Sequence, residues 1–357
     1  MKERGDGSDI IPVCVLRSTA SDAFNPSRLR LSSFMARNLS ITKLSAVIAP
    51  AILIALAVLL PLVACQGVER NNSISNRREF TDGIGRKVSI APDPQRIVSL
   101  APNLTEILFS LGLGDRVVGV TSYCDFPEAA KTKEKVGDTL HPSLEKIITL
   151  KPDLVVVSTA SQLESLTRRL DQLSIPVYVT NPRSVSEVIA SIRDLGEVTG
   201  ARAPAAQVAG EMESRISAIE ERVKDLPRPR VFYVLQTSPL ITAGRNTFIN
   251  DLINIAGGRS ISADERADYP QFSRETVIAR APEIIVAPSS HGTELVNESE
   301  LRRDFATTPA IRSDRIVWVN PDLVDRPGPR IVEGLEQLAK GLHLDGARAL
   351  SPAGLPK

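Results

Sequence analysis

Histidine and cysteine are scarce in this chain. Three of each occur in 357 residues: Cys14, Cys65 and Cys124, and His141, His291 and His343. No two cysteines stand as CxxC and the histidines are scattered, so nothing supports a zinc ribbon, a disulfide framework or a metal centre built on clustered histidines. Aromatic residues make up only 4% of the chain, with one tryptophan. Neither sign of charge is in excess: 43 Lys and Arg stand against 42 Asp and Glu, and no basic surplus points to nucleic acid. Long apolar runs are absent but for one. What is present, 42% hydrophobic and 24% charged residues, is the composition of a globular chain long enough for two domains with separate cores.

The one long run is "AVIAPAILIALAVLLPLVA" at residues 46–64, closed by Cys65 and followed by the polar stretch "QGVERNNSISNRREF". Arg37 and Lys43 stand upstream of it. A basic start, an apolar middle and a small residue at the end make a secretory signal over residues 35–64. Leu62-Val63-Ala64-Cys65 resembles the lipobox of bacterial lipoproteins, which implies lipidation at Cys65 and a membrane-anchored, extracytoplasmic mature chain, on the periplasmic face or the outer surface. An uncleaved transmembrane anchor is the rival reading, since about 20 apolar residues can span a bilayer. Residues 1–34 mix charges and prolines without periodicity, and are expected to be disordered or untranslated, with Met35 as the start. Residues 65–79 then form a flexible polar tether.

Beyond the tether, aliphatic strands alternate with helical patterns. Strands are expected at 96–101, 117–120, 154–159, 177–180, 231–236, 283–289 and 315–320. Helices are expected at 103–112, 143–151, 161–173, 184–199, 246–257, 273–281 and 328–342. Continuous aliphatic strands separated by helices predict parallel sheets covered on both faces. In 203–226 the residues Val208, Met212, Ile216, Ile219, Val223 and Leu226 fall three and four apart, which predicts one amphipathic helix. The organisation is therefore α/β: a first lobe at 80–202, a connecting helix at 203–228, a second lobe at 229–346 and a tail at 347–357. Asn103 and Glu106 in "PNLTE" read as a capping box.

Two segments repeat each other. "SLEKIITLKPDLVVV" (143–157) and "SRETVIARAPEIIVA" (273–287) share a serine, a glutamate two residues later, apolar positions in step, then proline, an acid and an aliphatic run. Each predicts a helix, a break at Pro152 or Pro282, and a strand. The lobes are thus pseudo-equivalent, with Glu145 and Glu275 at matched places. An acid in the first turn is also what the helix dipole favours anywhere.

At this point the chain resembles the cobalamin- and ferric-siderophore-binding proteins of ABC importers. The resemblance spans residues 80 to 345 and is carried by "FTDGIGRKVSIAPDPQRIVSLAPNLTEILFSLG", "GVTSYCDFP", "LEKIITLKPDLVV", "YPQFSRETVIARAPEIIV" and "DRPGPRIVEGL". "SYCDFP" and "YPQFSRE" are most similar to the cobalamin binders. The resemblance implies two Rossmann-like lobes joined by a single long helix, with ligand in the cleft between them. It implies that Glu145 and Glu275 dock on a two-fold permease dimer with its ATPase, and that Tyr123 and Tyr269 are ligand-facing aromatics. Asp322 and Arg326 become a polar pair at the cleft. It implies a cobalt-containing corrinoid as cargo, bound by a monomer, with no resident cofactor and no catalysis. The pattern departs at Thr139 and Ser158, where related binders carry tryptophan, at Tyr269, with tyrosine for tryptophan, and at Ile241, where an aromatic is usual. A siderophore or haem therefore stays open as cargo, as does a role as an anchored ligand sensor.

Other features read more plainly. Gly112 in "GLGDRVVG" follows a helix and precedes a strand, the reverse of a dinucleotide loop, and reads as a helix end. Cys124 reads as a packed thiol and Trp318 as core. Arg330 reads as a cap or ion pair near the last helix. "SSHG" sets Ser290 beside His291 without an orienting acid, and no nucleophile–base constellation appears elsewhere.

Overall fold

The computed structural model describes residues 77–158, 164–289 and 296–343. The signal segment, Cys65, most of the tether, the segment 1–34, the tail and the Ser290–His291 pair lie outside the described residues. The described chain opens with a hairpin of β1 (Arg78–Thr81) and β2 (Lys87–Ile90). Val88 and Ile90 are buried there while Lys87 and Ser89 are exposed, as in a strand with one covered face.

The first lobe holds β3 (Ile97–Ser99), β4 (Val117–Val120), β5 (Glu134–Lys135), β6 (Leu154–Ser158) and β7 (Val177–Thr180). They form a parallel sheet in the order β5-β4-β3-β6-β7. The second lobe holds β8 (Arg230–Tyr233), a small hairpin of β9 (Gln236–Thr237) and β10 (Leu240–Ile241), then β11 (Arg259–Ser260), β12 (Ile284–Pro288) and β13 (Ile316–Val319). Its parallel sheet runs β11-β8-β12-β13. The order β4-β3-β6-β7 is thereby reproduced strand for strand. Every residue of β6 and of β12 is buried, as expected of strands covered on both faces.

The repeated segments occupy corresponding places. Helices Leu144–Thr149 and Arg274–Arg280 start from Ser143 and Ser273, whose hydroxyls accept the N–H groups of Lys146 and Thr276. Ile147 and Val277 are buried beneath them. Lys151 and Ala281 turn the chain out of each helix with left-handed φ values of 47° and 49°, and proline follows each. The acid after each proline is structural. Asp153 accepts the N–H of Arg96 at 2.9 Å, and Glu283 that of Arg230 at 2.8 Å. Each arginine in turn donates Nε to a carbonyl at the end of the repeated helix, Leu150 or Ala281, at 2.9 Å. One arginine thus fastens strand, break and helix together in each lobe.

The connecting helix spans Arg202–Val223 and buries Ala205, Ala209, Met212, Ile216, Ile219 and Val223. Its stripe differs from the sequence reading at both ends: Val208 is half-buried, and Leu226 lies past the helix, 39% exposed. Ala205 and Ala209 take the buried places because the neighbouring helix Val185–Thr199 comes too close for larger side chains. A Cβ at Gly196 would clash with that of Ala205. Arg193 pairs with Glu213 at 2.8 Å and Arg215 with Glu336 at 3.0 Å, tying the connecting helix to a helix of each lobe. One apolar core runs from Ile97 and Leu104 through Met212 and Ile216 to Leu335 and Leu342. The opposite sheet faces have their own cores, around Val98 and Ile147 in one lobe and Phe232 and Val277 in the other.

The capping-box reading of Asn103 and Glu106 is corrected. The helix Pro102–Ser110 begins at Ala101 with no side-chain cap and with proline in its first turn. Both polar side chains are drawn instead towards the second lobe. Gly112, at φ 74°, does follow this helix. Cys124 is buried against Thr105 Oγ1 at 3.1 Å, and Trp318 is buried in β13.

Candidate ligand-binding cleft

Parallel strands bring their carboxyl ends to one edge of a sheet, where ligands of open α/β folds bind. Here both sheets contribute to a cleft of about 470 Å³. The first lobe supplies Asn103 after β3, Thr139 after β5, Ser158 at the end of β6 and Arg183 after β7. The second supplies Asn246, Asp268 and Tyr269 after β10 and β11, and Asp325 and Arg326 after β13.

Four of the residues expected from sequence therefore line the cleft: Thr139, Ser158, Tyr269 and Arg326. Ser158 is buried, Thr139 is half-buried and the Tyr269 ring is 54% exposed. The other three are not among the lining residues. Tyr123 stands 60% exposed in the turn after β4. Asp322 pairs with Arg326 at 2.7 Å, so the expected polar pair forms with its carboxylate turned to the arginine. Ile241 is half-buried and bridged to Gln271.

Arg326 does more than pair within its own lobe. Its Nη1 reaches Asp125 Oδ1 at 2.8 Å and Glu106 Oε1 at 3.4 Å, both in the first lobe. Arg330 donates Nε and Nη2 to the two oxygens of Glu106 at 2.8 and 2.7 Å, and its guanidinium lies 3.9 Å from the Phe126 ring centroid. Asn103 Nδ2 adds a bond to Pro327 O at 3.3 Å. Glu106 is 4% exposed, so its charge is viable only because two guanidinium groups face it. Burial alone would raise Asp125; the guanidinium of Arg326 outweighs it and holds that carboxyl below its ordinary value. Burial likewise opposes the charge on Arg330, and Glu106 reverses the balance, so its pKa is raised.

A second link crosses the cleft at Arg183, whose Nη1 lies 3.2 and 3.1 Å from the two oxygens of Asp268. Asp325 accepts the hydroxyl of buried Tyr233 at 2.7 Å. Burial pushes Asp325 up to about 6, against the hydrogen bond from Tyr233, which favours its charge. Asp125, Arg183, Asp268 and Asp325 are not identified from sequence, and Glu106 is singled out only as a capping residue. Arg330 reads from sequence as a cap or ion pair near the last helix, but its partner stands 224 positions away. No local pattern reports a pair set by the meeting of two lobes.

Glu145 and Glu275 are not among the lining residues and are exposed in the first turns of the repeated helices. The Glu275 carboxyl is held below its ordinary value by its own backbone N–H and by Ser273.

Comparison with known proteins places this geometry. Residues 97–323 match the model of the family described as periplasmic binding protein. The chain is 36% identical to the ABC transporter substrate-binding lipoprotein YvrC of Bacillus subtilis, over 74% of this chain and 85% of that one. It is similar to the crystal structure of the periplasmic vitamin B12 binding protein BtuF of Vibrio cholerae, with TM-score 0.64 and 30% identity, covering 70% of this chain and 96% of that one. It is equally similar in fold to the periplasmic heme-binding protein RhuT of Roseiflexus sp. RS-1, with TM-score 0.64 and 29% identity, covering 70% and 98%. The chain belongs to the periplasmic binding protein family, as an extracytoplasmic substrate-binding protein of ABC importers and not an enzyme.

Proposed function

We propose that the cleft captures a corrinoid and that the chain, anchored through a lipid on Cys65, delivers it to a permease dimer with its ATPase by docking Glu145 and Glu275. The observation that carries the cargo is the chemistry of the lining. Thr139 and Ser158 bring neutral hydroxyls to the lining, and Asn103 and Asn246 bring neutral amide oxygens. The cations Arg183 and Arg326 already face Asp268, Asp125 and Asp322. A corrin ring is fringed with amides, which such a lining can meet without breaking an ion pair. Tyr269 offers a flat aromatic face for the macrocycle. Similarity to the vitamin B12 binding protein supports the same reading.

The second reading is haem or a ferric siderophore. It draws on the exposed phenol of Tyr269, a group able to ligate ferric iron, and on the similarity to a heme-binding protein. Carboxylate-bearing cargo would have to take Arg183 from Asp268.

The test is a melting and absorbance screen of the chain from residue 66 onward against cobalamin, cobinamide, haemin and a ferric siderophore. A corrinoid at 100 times its Kd should stabilise the protein by about 2.7 kcal/mol. Stabilisation by haemin or siderophore alone would replace the cargo and leave the importer role intact.

A further inference from the structure

The two repeated helices expose more than a glutamate. Ile148 and Ile278 stand three residues after Glu145 and Glu275, on the same helix face, and are 39% and 38% exposed. A single exposed aliphatic needs no explanation. Its recurrence at matched positions does, because the other accessible positions of these helices diverge: Leu144 against Arg274, Lys146 against Thr276, Thr149 against Ala279. Glutamate and isoleucine alone are kept on both surfaces. The basic neighbours are also turned aside. Lys146 faces Glu134 at 3.7 Å and Arg274 faces Asp304 at 2.8 Å, so each has its ion-pair partner on another element and neither forms an ion pair with the adjacent glutamate.

We propose that Ile148 and Ile278 are the apolar anchors of the permease interface. Each seats beside its glutamate in an apolar recess flanked by a basic group, once on each half of a two-fold permease. The inference rests on the docking reading of Glu145 and Glu275. Doubling of the pair is what fixes the occupant: a surface presenting one motif twice is complementary to a partner that presents its own motif twice. The glutamates supply steering and register, and the isoleucines supply apolar area that is desolvated only in the complex.

The experiment uses the full chain and the purified permease–ATPase complex of the importer in nanodiscs. Ile148→Gln with Ile278→Gln should weaken binding at least tenfold, with each single variant weakened less. Melting temperature and cargo affinity should stay unchanged, as glutamine is a good helix former at an exposed site. Glu145→Arg with Glu275→Arg, run in parallel, tests the docking reading itself. Wild-type binding by the isoleucine variant with lost binding by the charge variant overturns this inference and keeps that reading. Wild-type binding by both overturns both. A wild-type dimer that the glutamine variant converts to monomer reassigns the face to a second copy of this chain and overturns the proposal.

Discussion

The two lobes share a scaffold and differ in what they show the cleft. Strand order, the serine-started helix, the left-handed exit and the arginine clamp recur in both. So do the exposed Glu145 and Glu275. At the cleft the correspondence stops: Thr139 occupies in the first lobe the place that Tyr269 occupies in the second, and Ser158 the place of Pro288. The difference separates two constraints. A partner with two-fold symmetry would hold the outward surfaces equal, while a cargo without that symmetry lets the inward surfaces diverge.

The sharpest way to break the comparison is charge reversal on the outward surfaces. Glu145→Arg with Glu275→Arg should abolish permease binding and uptake, each contact being worth about 2–5 kcal/mol once desolvated. Each single variant should weaken both readouts partially and equally, and cargo affinity should be unchanged. Unequal single variants would show that the lobes are not equivalent docking units.

The next largest effect concerns the joint between lobes. Glu106→Gln leaves Arg330 without its counter-charge, while Arg326 keeps Asp125 and Asp322. Loss of one partner of a buried pair costs about 3–5 kcal/mol, and the arginines' residual exposure places this variant near 3. Urea unfolding measures it. With the continuous core, this joint also predicts only slight opening, so small-angle scattering with and without cargo should give nearly the same radius of gyration.

Inside the cleft, Tyr269→Ala should weaken cargo binding by about 1–2 kcal/mol, and Thr139→Ala by only about 0.5. Equal losses would contradict the unequal cleft. The remaining effect is pH-linked. With its carboxyl raised from 3.8 to about 6, Asp325 holds a proton in the folded chain that the unfolded chain releases. Its contribution is therefore most favourable below 3.8 and declines as pH rises to about 6. Stability of Asp325→Asn relative to the parent should rise across that window and level off above it.

Much of this was readable in the sequence because it is local. "VVGV" and "VYVT" became strands with the expected bounds, since short aliphatic runs between turns leave few alternatives. The repeat disclosed the matched helices, and apolar spacing disclosed the connecting helix. The short hairpins, β5 and β11 carried too few residues to show a period. Glu106 was misread because "PNLTE" satisfies a local rule, whereas its partners come from the far end of the chain. The connecting helix slipped by one face at its start because only the close approach of Gly196 makes alanine the right size there.

Hydrogen exchange followed by mass spectrometry tests equality outside and inequality inside in a single measurement. With cargo alone, protection should increase around Tyr269 and Arg326 more than around Thr139, and leave Leu144–Thr149 and Arg274–Arg280 unchanged. With the permease complex added, those two helices should gain protection together and to the same degree. Protection of one helix without the other, or of both by cargo alone, would contradict the account.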